Sequence, residues 1–159
     1  MFEELIISFA SDEYILLESN ILAMLYSYRQ ITLKSRESGG VLIGQYRGAH
    51  IRVDSMTQPG EEDLSNRTRF YRRGQHHGIQ VYNSWMKSQH TSCWIGDWHT
   101  HPEATPTPSF IDMNSWAKNY YGRPMVSVIV GTEALWVGLF KNKNYSSRLI
   151  PHGYYLITP

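Results

Sequence analysis

The stretch 97-DWHTHPEATPTPSFID-112 joins the end of a predicted strand to the start of a predicted helix. The strand is predicted over Ser92–Trp98 and the helix over Ser109–Tyr120. At a strand end, side chains two residues apart point to the same side, so His99 and His101 direct both imidazoles one way. Two such imidazoles can ligate one zinc ion. A pair of surface histidines gives the same pattern, so the motif alone leaves both interpretations open.

The second half of the stretch predicts how the helix begins. Pro106 and Pro108 keep the chain extended and prevent a helical turn before Ser109. Ser109 and Asp112 then have the spacing of a capping box, with serine at the N-cap and an acid at N3. An acid in the first turn could instead offer its carboxylate to a cation, as a third ligand beside the two imidazoles. Three protein ligands leave a fourth position for water, which is typical of a catalytic zinc site.

A hydrolytic zinc site also requires a general base that is not itself a ligand. The candidate is Glu37, in 36-RESGGVLIGQY-46. The two glycines after it begin a buried strand and allow another backbone to approach closely. A glutamate before a strand is also typical of a solvated side chain, and the local sequence does not decide between these roles.

Taken together, the two stretches resemble the signature of the JAMM (MPN+) metalloprotease family. That signature is a glutamate before a Gly-Gly strand, followed downstream by His-x-His-Pro, a seven-residue spacer and Ser-x-x-Asp. The matching residues here are Glu37 before two glycines, His99 and His101 before a proline, the spacer 102–108, and then Ser109 and Asp112. Agreement in residue type and spacing at two distant places is highly specific, and the resemblance extends over roughly residues 36–140.

The resemblance implies a fold, a cofactor and a role for each residue of the signature. The implied fold is α+β, with a curved mixed β-sheet flanked by helices, as in the cytidine-deaminase-like JAB/MPN fold. One zinc ion per chain is implied, held by His99, His101 and Asp112. Glu37 is implied to hold and deprotonate a water molecule, and Ser109 to donate a hydrogen bond to the oxyanion.

The motif 96-GDWHTHP-102 and the short chain resemble those of the small bacterial deconjugases of CBASS anti-phage operons. That resemblance implies an isopeptidase that cleaves the amide bond after the C-terminus of a ubiquitin-like modifier or of a conjugated cyclic-nucleotide synthase. The implied partners are the C-terminal tail of the ubiquitin-like protein, or the conjugated nucleotidyltransferase and its target. Two alternatives stay open: a processing peptidase that trims a ubiquitin-like sulfur-carrier protein, and a non-catalytic MPN scaffold. The scaffold is disfavoured because all five functional positions are present.

Composition narrows the class of protein. The formal net charge is +1 over 159 residues, which gives no support to a nucleic-acid or membrane partner. Cys93 is the only cysteine, so an internal disulfide and a cysteine zinc site are excluded, as is typical of a reducing cytosol. Neither a signal peptide nor a membrane span is predicted, and no repeat or linker divides the sequence. We therefore expect one cytoplasmic domain over residues 1–159, whose oligomeric state the sequence does not indicate.

The remaining pattern predicts strands with helices between them and few βαβ units, which is typical of an α+β fold. Amphipathic helices are predicted over Asn20–Gln30 and Gln75–His90. The apolar positions of the second helix are Ile79, Tyr82, Trp85 and Met86. The predicted strands are Gly40–Tyr46 and Ala49–Met56 as one hairpin, Met125–Val130 and Leu135–Phe140 as another, and an edge strand in Leu149–Ile157.

Residues 58–73 combine several arginines with aromatic residues, namely Arg67, Arg69, Arg72, Arg73, Phe70 and Tyr71. A substrate tail could add to a strand edge in this segment. The segment could equally be a solvated loop whose acidic residues balance the arginines, and the sequence favours the loop. Beside it, His76 and His77 are predicted to lie on the surface. Trp116 is predicted to support Asp112 from the next helical turn.

Overall fold

A curved, mixed sheet of eight strands is the frame of the computed structural model, which describes residues 1–10 and 12–157. The elements are β1 (Leu5–Ser8), β2 (Tyr14–Leu17), α1 (Ser19–Ser27), β3 (Gly39–Arg47), β4 (His50–Met56), β5 (Leu64–Asn66), β6 (Arg69–Tyr71), α2 (His76–Lys87), β7 (Cys93–Thr100), α3 (Phe110–Asn119), β8 (Met125–Val130), β9 (Ala134–Lys141), β10 (Asn144–Pro151) and a short 3-10 helix (His152–Tyr154). The strand order is β1-β2-β4-β3-β7-β8-β9-β10, and β5 with β6 forms a separate hairpin. The predicted α+β class is confirmed.

The centre of the sheet is formed by β3, β7 and β8. Every residue of β8 is buried, and so are the first six residues of β3. A strand covered on both faces has a continuous apolar run instead of an alternating one, which explains VLI in β3 and VSVIV in β8. β3 pairs antiparallel with β4 and β7, whereas β7 pairs parallel with β8 through the crossover helix α3.

The two glycines that begin β3 lie where neighbouring groups come too close for a side chain. A Cβ added at Gly39 would lie 2.6 Å from the Phe70 ring, and one at Gly40 would lie 2.3 Å from the carbonyl oxygen of Thr57. Gly39 pairs with His99 in the register of β3 and β7. The glycines therefore allow the close approach predicted from the sequence. They also bring Glu37, two residues before Gly39, to the end of β7.

Helix α3 is held on the sheet by an aromatic cluster. Trp116, on α3, stacks on Trp136 of β9 with ring centroids 5.6 Å apart and planes inclined by 2°. The other buried members of the cluster are Tyr120, Met125, Ile129 and Phe140. Because burying an aromatic side chain stabilises the fold strongly, this cluster holds α3 against the sheet.

Several strands differ from the prediction. The hairpin of β1 and β2 was not predicted, nor was β5, because strands of three or four residues carry too little pattern. The prediction of an edge strand at Leu149–Ile157 was wrong in its bounds. Asn142, with φ of 54°, forms the turn that leads straight from β9 into β10, and the chain enters the 3-10 helix after Pro151.

Helix α2 is confirmed, but its apolar residues do not form its buried face. Ile79 is 56% exposed and Tyr82 is 59% exposed. The face toward the sheet instead includes the buried His77 and Gln80, whose amide donates to the Met56 carbonyl. In the part of the chain that the structure describes, no helix has the length and apolar character that a membrane crossing requires.

Candidate metal centre

Three predicted metal ligands meet at the end of β7. The Nε2 atoms of His99 and His101 are 3.1 Å apart. The two carboxylate oxygens of Asp112 lie 3.2 Å from them, Oδ1 from His99 and Oδ2 from His101. The prediction that both imidazoles face the same side is therefore confirmed, and the structure brings the carboxylate from the first turn of α3 to them.

These distances fit one tetrahedral zinc ion. With zinc bonds of about 2.0–2.1 Å, two ligand atoms of a tetrahedron are about 3.3 Å apart, close to the observed separations. The Nδ1 atom of His101 is buried without a hydrogen bond, because Glu103 Oε1, although 3.2 Å away, lies outside hydrogen-bond geometry. In the tautomer with its proton on Nδ1, on the side of Glu103, the ring presents the lone pair of Nε2 to the cluster, as a metal ligand must. The donor set of two imidazoles and one carboxylate is typical of a catalytic zinc site.

The position of the two histidines depends on the residue between them. Thr100 is buried, and its hydroxyl donates to the side-chain carbonyl of Gln30 while accepting from the backbone N–H of Ser38. The backbone N–H of His101 donates to the carbonyl of Val130 on β8. Alternation thus directs Thr100 into the protein and both imidazoles into the cleft.

The predicted capping box is confirmed, and its acid also faces the histidines. The Ser109 hydroxyl accepts from the Asp112 backbone N–H at 3.1 Å, and the Asp112 carboxylate accepts from the Ser109 N–H at 2.8 Å. Burial alone would raise the pKa of Asp112, but the contacts with His101 and His99 hold that pKa well below its usual range. The carboxylate is therefore charged, and the same geometry that caps α3 aims it at the two imidazoles.

Glu37 lies beside the ligands without joining them. It is buried, its Oε1 is 3.8 Å from Nε2 of His101, and its backbone N–H donates to the carbonyl of Asn66 at 2.7 Å. Burial raises the pKa of Glu37 to about 7, against the opposing effect of His101 and with a further increase from Asp112. The alternative of a solvated side chain is wrong, because pairing of β3 with β7 carries Glu37 into the protein.

These side chains line one open cleft of about 600 Å³. Its other walls include Trp116 and the segment that contains the predicted arginine cluster. Residues 60–74, here called the arginine wall, contain the hairpin of β5 and β6, and residues 68–73 face the cleft. The interpretation as a solvated loop is therefore wrong for β6, although the arginines at the rim stay exposed.

Two further polar residues of the site carry no recognisable sequence signal. Gln30 is buried just after α1, and its amide donates to the carbonyl of Arg67 at 2.8 Å while its oxygen accepts from Thr100. Asp97 accepts from Arg72 at 2.6 Å and from the Tyr120 hydroxyl at 3.2 Å. Both residues connect the arginine wall with β7. These contacts form only in the folded chain, so the sequence alone does not reveal them.

The prediction that both adjacent histidines of α2 lie on the surface is wrong for one of them. His77 is buried, with Nε2 2.8 Å from Asp63, while the neighbouring His76 ring remains partly exposed. Asp63, His76 and His77 together form a second group of residue types that metal ions use. Adjacent helical residues normally diverge, but these two rings lie with their centroids 3.9 Å apart.

Comparison with known proteins shows which family and which relatives the sequence is similar to. A family model described as "Prokaryotic homologs of the JAB domain" matches residues 24–145. A protein of Escherichia coli named "CD-NTase/cGAS isopeptidase" is 40% identical over 139 residues, which covers 87% of this chain and 88% of that protein. A protein of Vibrio cholerae with the same name is 39% identical over 136 residues, covering 85% and 87%.

A solved structure supports the fold alone. The solution structure of a protein from Desulfitobacterium hafniense matches with a TM-score of 0.57 and 15% sequence identity. The match covers 83% of this chain and 88% of that protein, so nearly the whole architecture is shared.

Proposed function

Because this chain belongs to the family of prokaryotic homologs of the JAB domain, we propose that it is a zinc-dependent isopeptidase that releases a protein from a conjugate. The observation that carries the proposal is the convergence of His99, His101 and Asp112, in which the two Nε2 atoms are 3.1 Å apart and each lies 3.2 Å from one oxygen of the carboxylate, with the buried Glu37 beside them. A set of ligands with an adjacent non-ligating acid is what metal-assisted hydrolysis of an amide requires.

The proposed substrate is a cyclic-nucleotide synthase joined through its C-terminus to a target amine, and the proposed setting is anti-phage defence. The relatives at 39–40% identity carry the name CD-NTase/cGAS isopeptidase, which supports this substrate class. The arginine wall lines the cleft with β6, which pairs on one side with β5. An extended C-terminal tail would lie along the other side of β6, with backbone pairing as in strand addition.

Each residue of the site would contribute a separate part of the reaction. His99, His101 and Asp112 would hold zinc, which when bound supplies a Lewis acid for the amide carbonyl and makes water more acidic. Glu37, whose pKa of about 7 suits transfer in both directions near neutrality, would take the proton from the attacking water and pass it to the leaving amine. The Ser109 oxygen accepts from the Asp112 N–H, so its own proton remains available for the oxyanion of the substrate.

The function is tested with two defined substrates and zinc-loaded protein. One is a nucleotidyltransferase whose C-terminal carboxyl is joined to a lysine side chain; the other is a ubiquitin-like sulfur carrier with a linear C-terminal extension. We expect mass spectrometry to show cleavage of the isopeptide bond at the C-terminal residue. Cleavage of the linear extension alone would identify a processing peptidase. Failure to cleave either substrate with full zinc occupancy would identify a non-catalytic scaffold.

Replacement of Ser109 by glycine should separate its capping role from its catalytic role. Loss of one oxyanion donor is expected to lower kcat by about 10²–10³-fold. Glycine at an N-cap costs only a few tenths of a kcal/mol, whereas alanine costs about 1 kcal/mol. Ser109→Gly and Ser109→Ala should therefore lose similar activity but differ in Tm by calorimetry. Wild-type kcat in the glycine variant would leave Ser109 with the capping role alone.

A further inference from the structure

The buried carboxylate of Asp63 holds both ends of the arginine wall. Oδ1 accepts hydrogen bonds from the backbone N–H groups of Arg73 and Gly74, each at 2.7 Å. Oδ2 accepts from the backbone N–H of Gly60 at 2.9 Å. The side chain of Asp63 is only 2% exposed. One charged group therefore joins the start and the end of the segment, with hydrogen bonds of the strong, charge-assisted class.

His77 connects this carboxylate to the central sheet. Its Nε2 is 2.8 Å from Asp63 Oδ2, and its Nδ1 is 2.5 Å from the hydroxyl of Thr57. That hydroxyl accepts from the backbone N–H of Val41 on β3 at 2.8 Å. Because an ionised carboxylate can only accept, Nε2 of His77 carries the imidazole proton and donates it to Asp63, and Nδ1 of the neutral ring accepts from the Thr57 hydroxyl.

The hydrogen bonds of Asp63, His76 and His77 are satisfied without a metal ion. Each oxygen of Asp63 accepts two bonds, three from backbone N–H groups and one from His77, which fills the acceptor positions of a carboxylate. Nε2 of His76 is 2.7 Å from the carbonyl oxygen of Gln58 and 3.9 Å from Asp63. Burial lowers the pKa of His77, although Asp63 opposes the shift, so the ring is neutral. The group is therefore an anchor and not a second zinc site.

The anchored segment reaches the catalytic base and the mouth of the cleft. The carbonyl of Asn66 in β5 accepts from the Glu37 N–H at 2.7 Å, and β6 lines the cleft. At the rim, Arg72 forms an ion pair with Asp97 on β7, two residues before His99. A shift of the arginine wall would therefore move the surface that faces a substrate tail relative to the reacting groups.

We propose that Asp63 and His77 are positioning residues that fix the arginine wall against β3, so that a substrate tail meets the metal ligands in register. This proposal rests on the proposed isopeptidase function. Neither residue lines the cleft, so both act through the wall and not on the reacting atoms. Their loss raises KM for the conjugate far more than it lowers kcat, since the ligands are held at the end of β7 and in α3, and only the backbone N–H of Glu37 bonds to the wall.

The test uses Asp63→Asn, which keeps the shape of the side chain, and His77→Ala in the full chain. His50→Ala is the matched control, because His50 also accepts one hydrogen bond, from the Tyr14 N–H, but lies at the start of β4. Trypsin cleavage after the arginines of the wall is followed by mass spectrometry. Both variants should be cut about tenfold faster than wild type while binding one zinc ion, because release of the anchor opens the segment locally.

Kinetics on the nucleotidyltransferase conjugate complete the test. KM should rise about tenfold in both variants with kcat within about twofold of wild type, since lost binding with intact chemistry has this signature. Unchanged trypsin cleavage overturns the anchor, and an opened wall with unchanged KM overturns the positioning role. Two zinc ions in wild type, with one lost in His77→Ala, would overturn the proposal in favour of a metal site. If wild type cleaves no conjugate, the isopeptidase function fails, and faster trypsin cleavage still supports the anchor.

Discussion

Replacement of Glu37 by glutamine is expected to lower kcat for conjugate cleavage by about 10²–10⁴-fold while one zinc ion per chain is retained. Glutamine has nearly the same shape but cannot accept a proton from water. Zinc should remain because the three proposed ligands are other residues, and Glu37 Oε1 is 3.8 Å from Nε2 of His101. The Tm should not fall, because a buried amide costs less than a buried carboxylate and the backbone bond to Asn66 is unchanged.

Two measurements decide the role of Glu37. Zinc content by elemental analysis and kcat on the isopeptide conjugate are compared with Glu62→Gln, the same change at an exposed position. The control should match wild type in both. A Glu37→Gln variant with wild-type turnover would remove Glu37 from the chemistry, whereas a variant without zinc would place it among the ligands.

Replacement of Asp112 by asparagine is expected to abolish zinc binding with little damage to α3. The asparagine oxygen can still accept the Ser109 N–H, so the cap survives, but the amide nitrogen presents no lone pair to a cation. Removal of a second-shell partner weakens metal affinity by about 10–100-fold, and loss of a ligand should cost more than about 100-fold. Conjugate cleavage should fall with zinc occupancy.

The dependence of Tm on added zinc provides a readout without substrate. An ion at about 100 times its Kd stabilises the folded state by about 2.7 kcal/mol, so wild type should gain Tm with zinc. Asp112→Asn should show no gain at the same concentration. Asp12→Asn, at an exposed turn residue with φ of 64°, should respond as wild type does. Wild-type zinc affinity in Asp112→Asn would exclude the carboxylate as a ligand.

Local geometry in the sequence predicted how the three proposed ligands are oriented, whereas their role as a zinc site was implied by the family resemblance. Strand alternation orients His99 and His101, and the capping box orients Asp112, so each residue is positioned by its own element. Glu37 is different, since it reaches the cluster only through the pairing of Gly39 with His99 across two strands distant in sequence. Only the family resemblance connected it to the histidines before the fold was known.

The remaining features follow from tertiary contacts that no local pattern encodes. The apolar residues of α2 predicted a buried face, yet the polar His77 occupies it because Asp63 and Thr57 satisfy both ring nitrogens. In the sequence Gln30 is only a polar residue after a helix, because its partners Arg67 and Thr100 reach it only in the folded chain. A periodicity argument weighs apolar residues, so it misses a buried polar group whose partners lie far away in sequence.

The capping box of α3 has a consequence for how a metal ion would enter and leave the proposed site. The bonds between Ser109 and Asp112, with Trp116 stacked on Trp136, hold the proposed third ligand, Asp112, in place through contacts that involve no ion. The side chains of the site are therefore ordered when the chain folds, and binding of a metal ion requires little further loss of conformational entropy. Zinc should therefore leave and return without unfolding the chain, and a chelated sample should recover as soon as the ion is restored.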